Sequence, residues 1–212
     1  MNKKKLKFRN VIAIAICLTG ITLFFAACND KDLLIINDSS MLIMYNPFIL
    51  KVRNIENNKG DIDFAKASRG YQSPGGKWHY FEFSSKCKNG GFELNFPATV
   101  PDEYLQLASE MWGVQLSENY AKMMSFTVIA YNRDGSNIGS FSFISKNWAI
   151  EYVYADRNFT EKGISKHNIE FDCSYRKGWN VVYWSSDGGT KRTTQKPLNE
   201  KFKCFFSYNV AY

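Results

Sequence analysis

Two histidines, five cysteines and five tryptophans are the residues of this 212-residue sequence best suited to chemistry, and their spacing argues against most of it. A metal centre needs several His, Cys or carboxylate ligands converging at set intervals. His79 and His167 lie far apart, and no Cys-x-x-Cys is present. His79 alternates with Phe81 and Phe83, as a packing residue does, and His167 sits in the polar run Lys166-His167-Asn168. Asp61-Ile62-Asp63 and Asp134-Gly135 carry oxygens that calcium accepts, yet neither continues into a loop closed by glutamate. Nucleophilic catalysis wants a serine or cysteine beside a base and an orienting group. No Gly-x-Ser-x-Gly elbow occurs. A carboxylate pair for glycoside hydrolysis depends on separation in space, and nothing local marks one. The expectation is no catalytic residue, no metal and no cofactor.

Cysteines and tryptophans leave more open. Cys173 and Cys204 each fall on an apolar strand face, 31 positions apart. A bridge between them would contribute about 3–4 kcal/mol on the chain-entropy model. The alternative is that Cys87, Cys173 and Cys204 are thiols packed as small hydrophobes. Trp112, Trp148 and Trp184 are candidate ligand contacts, because an indole face stacks on a sugar ring, although tryptophan in a sheet more often packs the core. In the segment Trp179–Trp184, Trp179, Val181 and Tyr183 share one face while Asn180, Val182 and Trp184 share the other. That pattern marks a central strand covered on both sides.

The strongest local pattern lies at the start. Lys3, Lys4, Lys5, Lys7 and Arg9 precede the uncharged run Val11–Phe25, which ends in Ala26-Ala27-Cys28. A membrane-spanning helix needs about 20 apolar residues, so this run is short for a span and right for a secretory signal. Small residues before a cysteine resemble a bacterial lipobox. Cleavage is then expected between Ala27 and Cys28, with the Cys28 thiol acylated. Fatty chains contribute about 0.8 kcal/mol per buried methylene, and more than one makes attachment stable. The partner implied is a membrane, reached through the N-terminal lipid.

Charge follows from the same segmentation. The whole chain is +7, but five of its 27 basic residues and none of its 20 acidic ones precede Cys28, so the mature chain is +2. No Lys/Arg stripe of the kind phosphate contacts require remains, and no nucleic-acid partner is expected.

The elements to be positioned are strands. Trp78–Cys87 alternates with period two, with His79, Phe81, Phe83, Ser85 and Cys87 on one face. Phe92, Leu94 and Phe96 alternate, as do Trp148, Ile150, Tyr152 and Tyr154, then Ile169, Phe171, Cys173 and Tyr175, and finally Phe202, Cys204, Phe206 and Tyr208. Asn132-Arg133-Asp134-Gly135 between Phe126–Tyr131 and Ile138–Ile144 is a hairpin signal. Pro101-Asp102-Glu103 suits a helical first turn, with Tyr104, Leu105, Ala108, Met111 and Trp112 at helical spacing. Ser117–Met124 offers a second short helical turn. The expected fold is mainly β, an antiparallel β-sandwich with one or two short helices. The expected order is a signal peptide at 1–27, a lipidated tether at 28–40 and the sandwich domain at 41–212.

Four strings resemble elements of uncharacterised lipoproteins from Bacteroides-type bacteria. They are Asn89-Gly90-Gly91-Phe92-Glu93-Leu94-Asn95-Phe96-Pro97, Tyr154-Ala155-Asp156-Arg157, Lys177-Gly178-Trp179-Asn180-Val181-Val182-Tyr183, and Thr193-Thr194 with Pro197 and Phe202. The resemblance covers roughly residues 60–208 and implies an outer-membrane location and a β fold, with no catalytic residues to carry over. Asp30 and Asp32, just after Cys28, resemble export tags that take such proteins to the cell surface. The functional expectation is a binding or structural role. A glycan-binding accessory protein, a fimbria-like adhesive subunit with a protein partner, and a hydrolase are the alternatives.

Overall fold

The computed structural model describes residues 48–58, 61–73, 75–108, 113–185 and 189–208, all within the compact unit 34–212. The signal, Ala27, Cys28, the tether and Trp112 lie outside the described residues.

The chain is mainly β, and its core is the space between a large twisted sheet and a two-stranded ribbon. The ribbon pairs β1 (Ile49–Val52) with β5 (Phe92–Asn95). Alternation places Leu50, Val52, Phe92 and Leu94 inward, and all four are buried. β5 packs against β3 (Phe64–Gln72) and β4 (Trp78–Lys86), the hairpin at one end of the large sheet. From there the sheet runs β4, β3, β9 (Thr127–Tyr131), β10 (Asn137–Ile144), β11 (Trp148–Ala155) and β14 (Gly178–Ser185). It continues through β15 (Lys191–Thr193), β13 (Glu170–Tyr175), β12 (Phe159–Ile164) and β7 (Gln115–Leu116). Pairing is antiparallel throughout except for two short parallel contacts, β13 with β15 and β16 (Lys203–Tyr208) with β2 (Ile55–Glu56).

β10 is the branch point. One edge pairs with β16 from Gly139 to Ile144. Its other edge is shared, the first half with β9 and Phe143–Ile144 with β11. Gly139 makes the first pairing possible. A Cβ there would stand 2.1 Å from the Ser207 carbonyl oxygen, so only glycine admits so close a strand.

Two apolar clusters follow from the faces. The larger joins the ribbon to Ala65, Ala67, Val128, Phe141, Phe143, Tyr152, Trp179 and Phe206. The second, with Val153, Ala155, Phe159, Cys173, Tyr175 and Val182, joins β11, β12, β13 and β14. β14 borders both: Trp179 and Tyr183 belong to the first, Val182 and the edge of Trp184 to the second. The covered central strand expected from its sequence is what forms. β11 departs from simple alternation, because Tyr152 through Ala155 are all buried, odd and even positions in different clusters.

Within the described residues the segment from Pro101 to Leu107 is not an α-helix, and Ser117–Met124 forms turns and a strand. After Pro101 there is one 3-10 turn, Asp102–Tyr104, and Leu105 is already extended at φ −93°, ψ 141°. Gln106–Leu107 (β6) then pairs with Lys122–Ser125 (β8), and Gln115–Leu116 pairs with β12. Tyr104 is held by Phe81 and Tyr71, with ring centroids at 5.3 and 5.2 Å. Those contacts, with the strand pairing that follows, outweigh a local preference worth tenths of a kcal/mol per residue.

Candidate functional site

Most groups with chemical potential are absorbed into packing. His79 stacks on Tyr71 at 5.1 Å and 15° on the half-buried face of β4, as its alternation implied. Cys173 and Cys204 are separate thiols in different apolar clusters, so the bridge weighed from their spacing is not present. Burial pushes the Cys173 thiol up to about 11, against the pull of Arg192. Burial likewise pushes up Cys87, to about 12 with help from Asp63, and Cys204, with Cys87 as the next cause. The two thiols that sense each other are therefore Cys87 and Cys204. Thiols shifted this way are poor nucleophiles at neutral pH.

The candidate aromatics divide. Trp148 is half-buried against the larger cluster. Trp184 donates its indole N–H to Glu151 Oε2 at 2.6 Å and lies under the Arg192 guanidinium at 5.0 Å. Both are half-buried and tied into the domain.

Around Arg192 lies a charged cluster that spacing did not reveal. Arg192 is 1% exposed and Glu161 fully buried. The guanidinium donates to Glu151 Oε2 at 3.1 Å and reaches Glu161 Oε2 at 3.5 Å. Tyr175 donates its hydroxyl to Glu161 Oε2 at 2.8 Å. Glu161 Oε1 makes no hydrogen bond among the described residues. Burial raises the Glu161 carboxyl above its ordinary 4.5, while Arg192 and the Tyr175 hydroxyl oppose the shift. Two carboxylates on one guanidinium superficially match a hydrolytic pair, but Glu161 cannot meet a substrate at zero exposure. The cluster holds β11, β12, β13 and β15 together.

A raised folded-state value means that the folded domain binds a proton more tightly than the unfolded chain. Its stabilising contribution is full below about pH 4.5 and is lost as pH rises through the higher folded-state value. Urea unfolding of wild type against Glu161→Gln across pH 4–8 is expected to show this decline in wild type and its absence in the variant. Equal pH slopes would contradict it.

The exposed chemistry sits instead at the end of the β3–β4 hairpin. β4 alternates exposed and half-buried along its length. Its outward face carries Trp78 at 54% exposure and Tyr80 at 58%, rings stacked with centroids 6.1 Å apart and planes 20° from parallel. Gly70 faces Tyr80 across the register. Farther along the same face Glu82 accepts from Lys66 Nζ at 3.3 Å and Ser68 Oγ at 3.1 Å. The sequence reading took the His79 side of this strand as the informative one. Trp78 and Tyr80 shared the other parity, and that signal could have found them.

A cleft of about 220 Å³ lies where β9 and β11 part from β10, lined by Phe126, Val128, Phe143, Ile150 and Tyr152 among others. It is largely the rim of the core, and the buried Tyr152 hydroxyl makes no hydrogen bond among the described residues.

Fold and site together define an antiparallel β-sandwich with a paired aromatic surface on one end strand. No family model matches the chain. It is similar to an uncharacterized protein of Bacillus anthracis, 32% identical over 92 residues, which cover 43% of this chain and 27% of that protein. The match thus spans about a quarter of that relative's length. No solved structure matches.

Proposed function

We propose that this chain is a lipid-anchored outer-membrane lipoprotein, facing the cell surface, whose β-sandwich binds glycan. The Trp78–Tyr80 pair carries the binding part: two large rings kept in water on the outward face of a strand are the usual substrate for stacking, not for packing. Anchoring is supported by the basic head, apolar run and Ala26-Ala27-Cys28 of the leader. Support also comes from the resemblance of the Asn89–Pro97 and Lys177–Tyr183 strings to lipoproteins of Bacteroides-type bacteria. Asp30 and Asp32 favour surface display over the periplasmic face.

The anchor is tested by metabolic labelling with palmitate. Wild type is expected to incorporate label and fractionate with membranes, and a globomycin-type inhibitor should leave a heavier precursor. Cys28→Ala is expected to lose the label entirely. A Cys28→Ala chain that still matures and stays membrane-bound would remove the lipoprotein reading. Protease shaving of whole cells then decides orientation.

A further inference from the structure

Packing beneath Trp78 and Tyr80 says how their rings lie. A Cβ built on Gly70 would come within 2.9 Å of Tyr80 Cε1 and 3.3 Å of Trp78 Cε3. Both rings therefore lean over the bare backbone of Gly70 on the neighbouring strand, while more than half of each residue is in water. Covering an edge glycine is a known use of an aromatic, and it accounts for Tyr80, the register partner of Gly70. Trp78 stands opposite Gln72 and reaches the same glycine only with the edge of its ring, through Cε3. The other described tryptophans, Trp148, Trp179 and Trp184, are all buried or half-buried. Trp78 alone among them is left in solvent, beside a second ring nearly parallel to it.

Three occupants fit an exposed aromatic pair, and the geometry separates them. A lipid bilayer takes rings that project and wedge between headgroups. These lean back over Gly70 on the neighbouring strand, and the next outward residue, Glu82, is polar and already paired with Lys66. A protein partner needs about 800 Å² on each side, and past the two rings this face turns polar, with Glu82, Ser84, Lys66 and Ser68. A sugar needs what is present. The axial C–H groups of a pyranose pack on a flat π face, which is electron-rich and attracts them. Its equatorial hydroxyls reach polar groups at the rim.

We propose that the outward face of β4 is a stacking site for an equatorially linked pyranose chain, with successive sugar rings on Trp78 and Tyr80. Such chains are flat ribbons, and the two aromatic planes, 20° apart along one strand, match a flat ligand better than a coiled one. A ribbon laid along β4 passes from the rings onto Glu82 and Ser84, where Glu82 is already fixed by Lys66 and Ser68. The inference rests on the glycan reading above and adds the linkage class and the course of the sugar chain along β4.

The test uses the mature lipidated protein in phosphatidylcholine vesicles, titrated with cellohexaose, chitohexaose and maltohexaose and followed by tryptophan fluorescence. At least one of the two flat hexasaccharides is expected to bind about tenfold or more tightly than coiled maltohexaose. Trp78→Ala and Tyr80→Ala are each expected to weaken that binding about tenfold or more. Gly70→Val, which keeps both rings but lifts them, should weaken it too, while Trp148→Phe should leave it unchanged. Failure of both flat hexasaccharides to bind overturns the site. Binding that survives Trp78→Ala overturns the site while leaving the glycan reading in place. If unlipidated Cys28→Ala protein binds phosphatidylglycerol vesicles through Trp78, the rings belong to a membrane contact and the proposal falls.

Discussion

Replacing Arg192 with methionine is expected to cost about 3–5 kcal/mol of stability, the range for breaking a buried ion pair by removing one partner. The loss comes less from the missing attraction than from what stays behind. Glu161 is fully buried with one oxygen already lacking a hydrogen bond among the described residues, and without the guanidinium it has no cation to face. Glu151, about a quarter exposed, can recruit water and contributes little to the penalty. Arg192 also packs its plane over Trp184 at 5.0 Å and Phe171 at 5.5 Å, contacts that methionine replaces only in part. The double variant Arg192→Met/Glu161→Leu should recover most of the loss, because exchanging a whole buried pair for apolar groups is often neutral or better. Urea unfolding measures both. A single variant within 1 kcal/mol of wild type, on the roughly 1 kcal/mol scale of a surface pair, would show that the cluster is solvated.

Trp179→Ala should cost about as much, 3–5 kcal/mol by the range for large aromatic truncations in cores. Its ring meets Phe96 at 4.9 Å, Tyr154 at 5.2 Å, Phe126 at 5.4 Å and Phe83 at 6.2 Å, most of them edge to face. The indole N–H donates to the Pro97 carbonyl at 2.8 Å. Trp179→Phe keeps a ring in place and loses that hydrogen bond, so a smaller cost of about 1–2 kcal/mol beyond the volume change is expected. Thermal unfolding should rank wild type, then Phe, then Ala. If the Phe variant proved as damaged as Ala, the hydrogen bond to Pro97 would outweigh the packing.

That same residue explains why two distant strings of this sequence look distinctive. Asn89-Gly90-Gly91 turns the chain so that Phe92, Leu94 and Phe96 enter the core, and Pro97 ends the run where its carbonyl receives Trp179. The Lys177–Tyr183 string supplies the other half of that contact. The motifs are one piece of packing read in two places.

Strands were legible because period-two alternation records which side is wet, and the Asn132–Gly135 hairpin formed as its turn residues indicate. The spacing from Tyr104 onward suggested a helix where Gln106–Leu107 is a strand, because a spacing rule cannot see Phe81 on β4 and Tyr71 on β3 waiting for Tyr104. The Arg192 cluster draws Glu151, Glu161 and Tyr175 from three strands, and no window of sequence contains it. Pairing of the cysteines was equally hidden, since the face a cysteine occupies does not say which cluster that face joins. Trp78 and Tyr80 were visible as alternation, but their exposure depends on the β1–β5 ribbon covering the opposite side.

The position of β16 has a bearing on timing. β16, the last strand among the described residues, lies between β10 and β2, whose residues are separated from it by about sixty and about one hundred and fifty positions. The sheet around β10 therefore closes only after β16 has left the ribosome, long after β2 and β10. Non-local pairing of this kind also folds slowly once it is free to start. Until β16 has emerged, the edge of β10 from Gly139 to Ile144 stays open to other pairing.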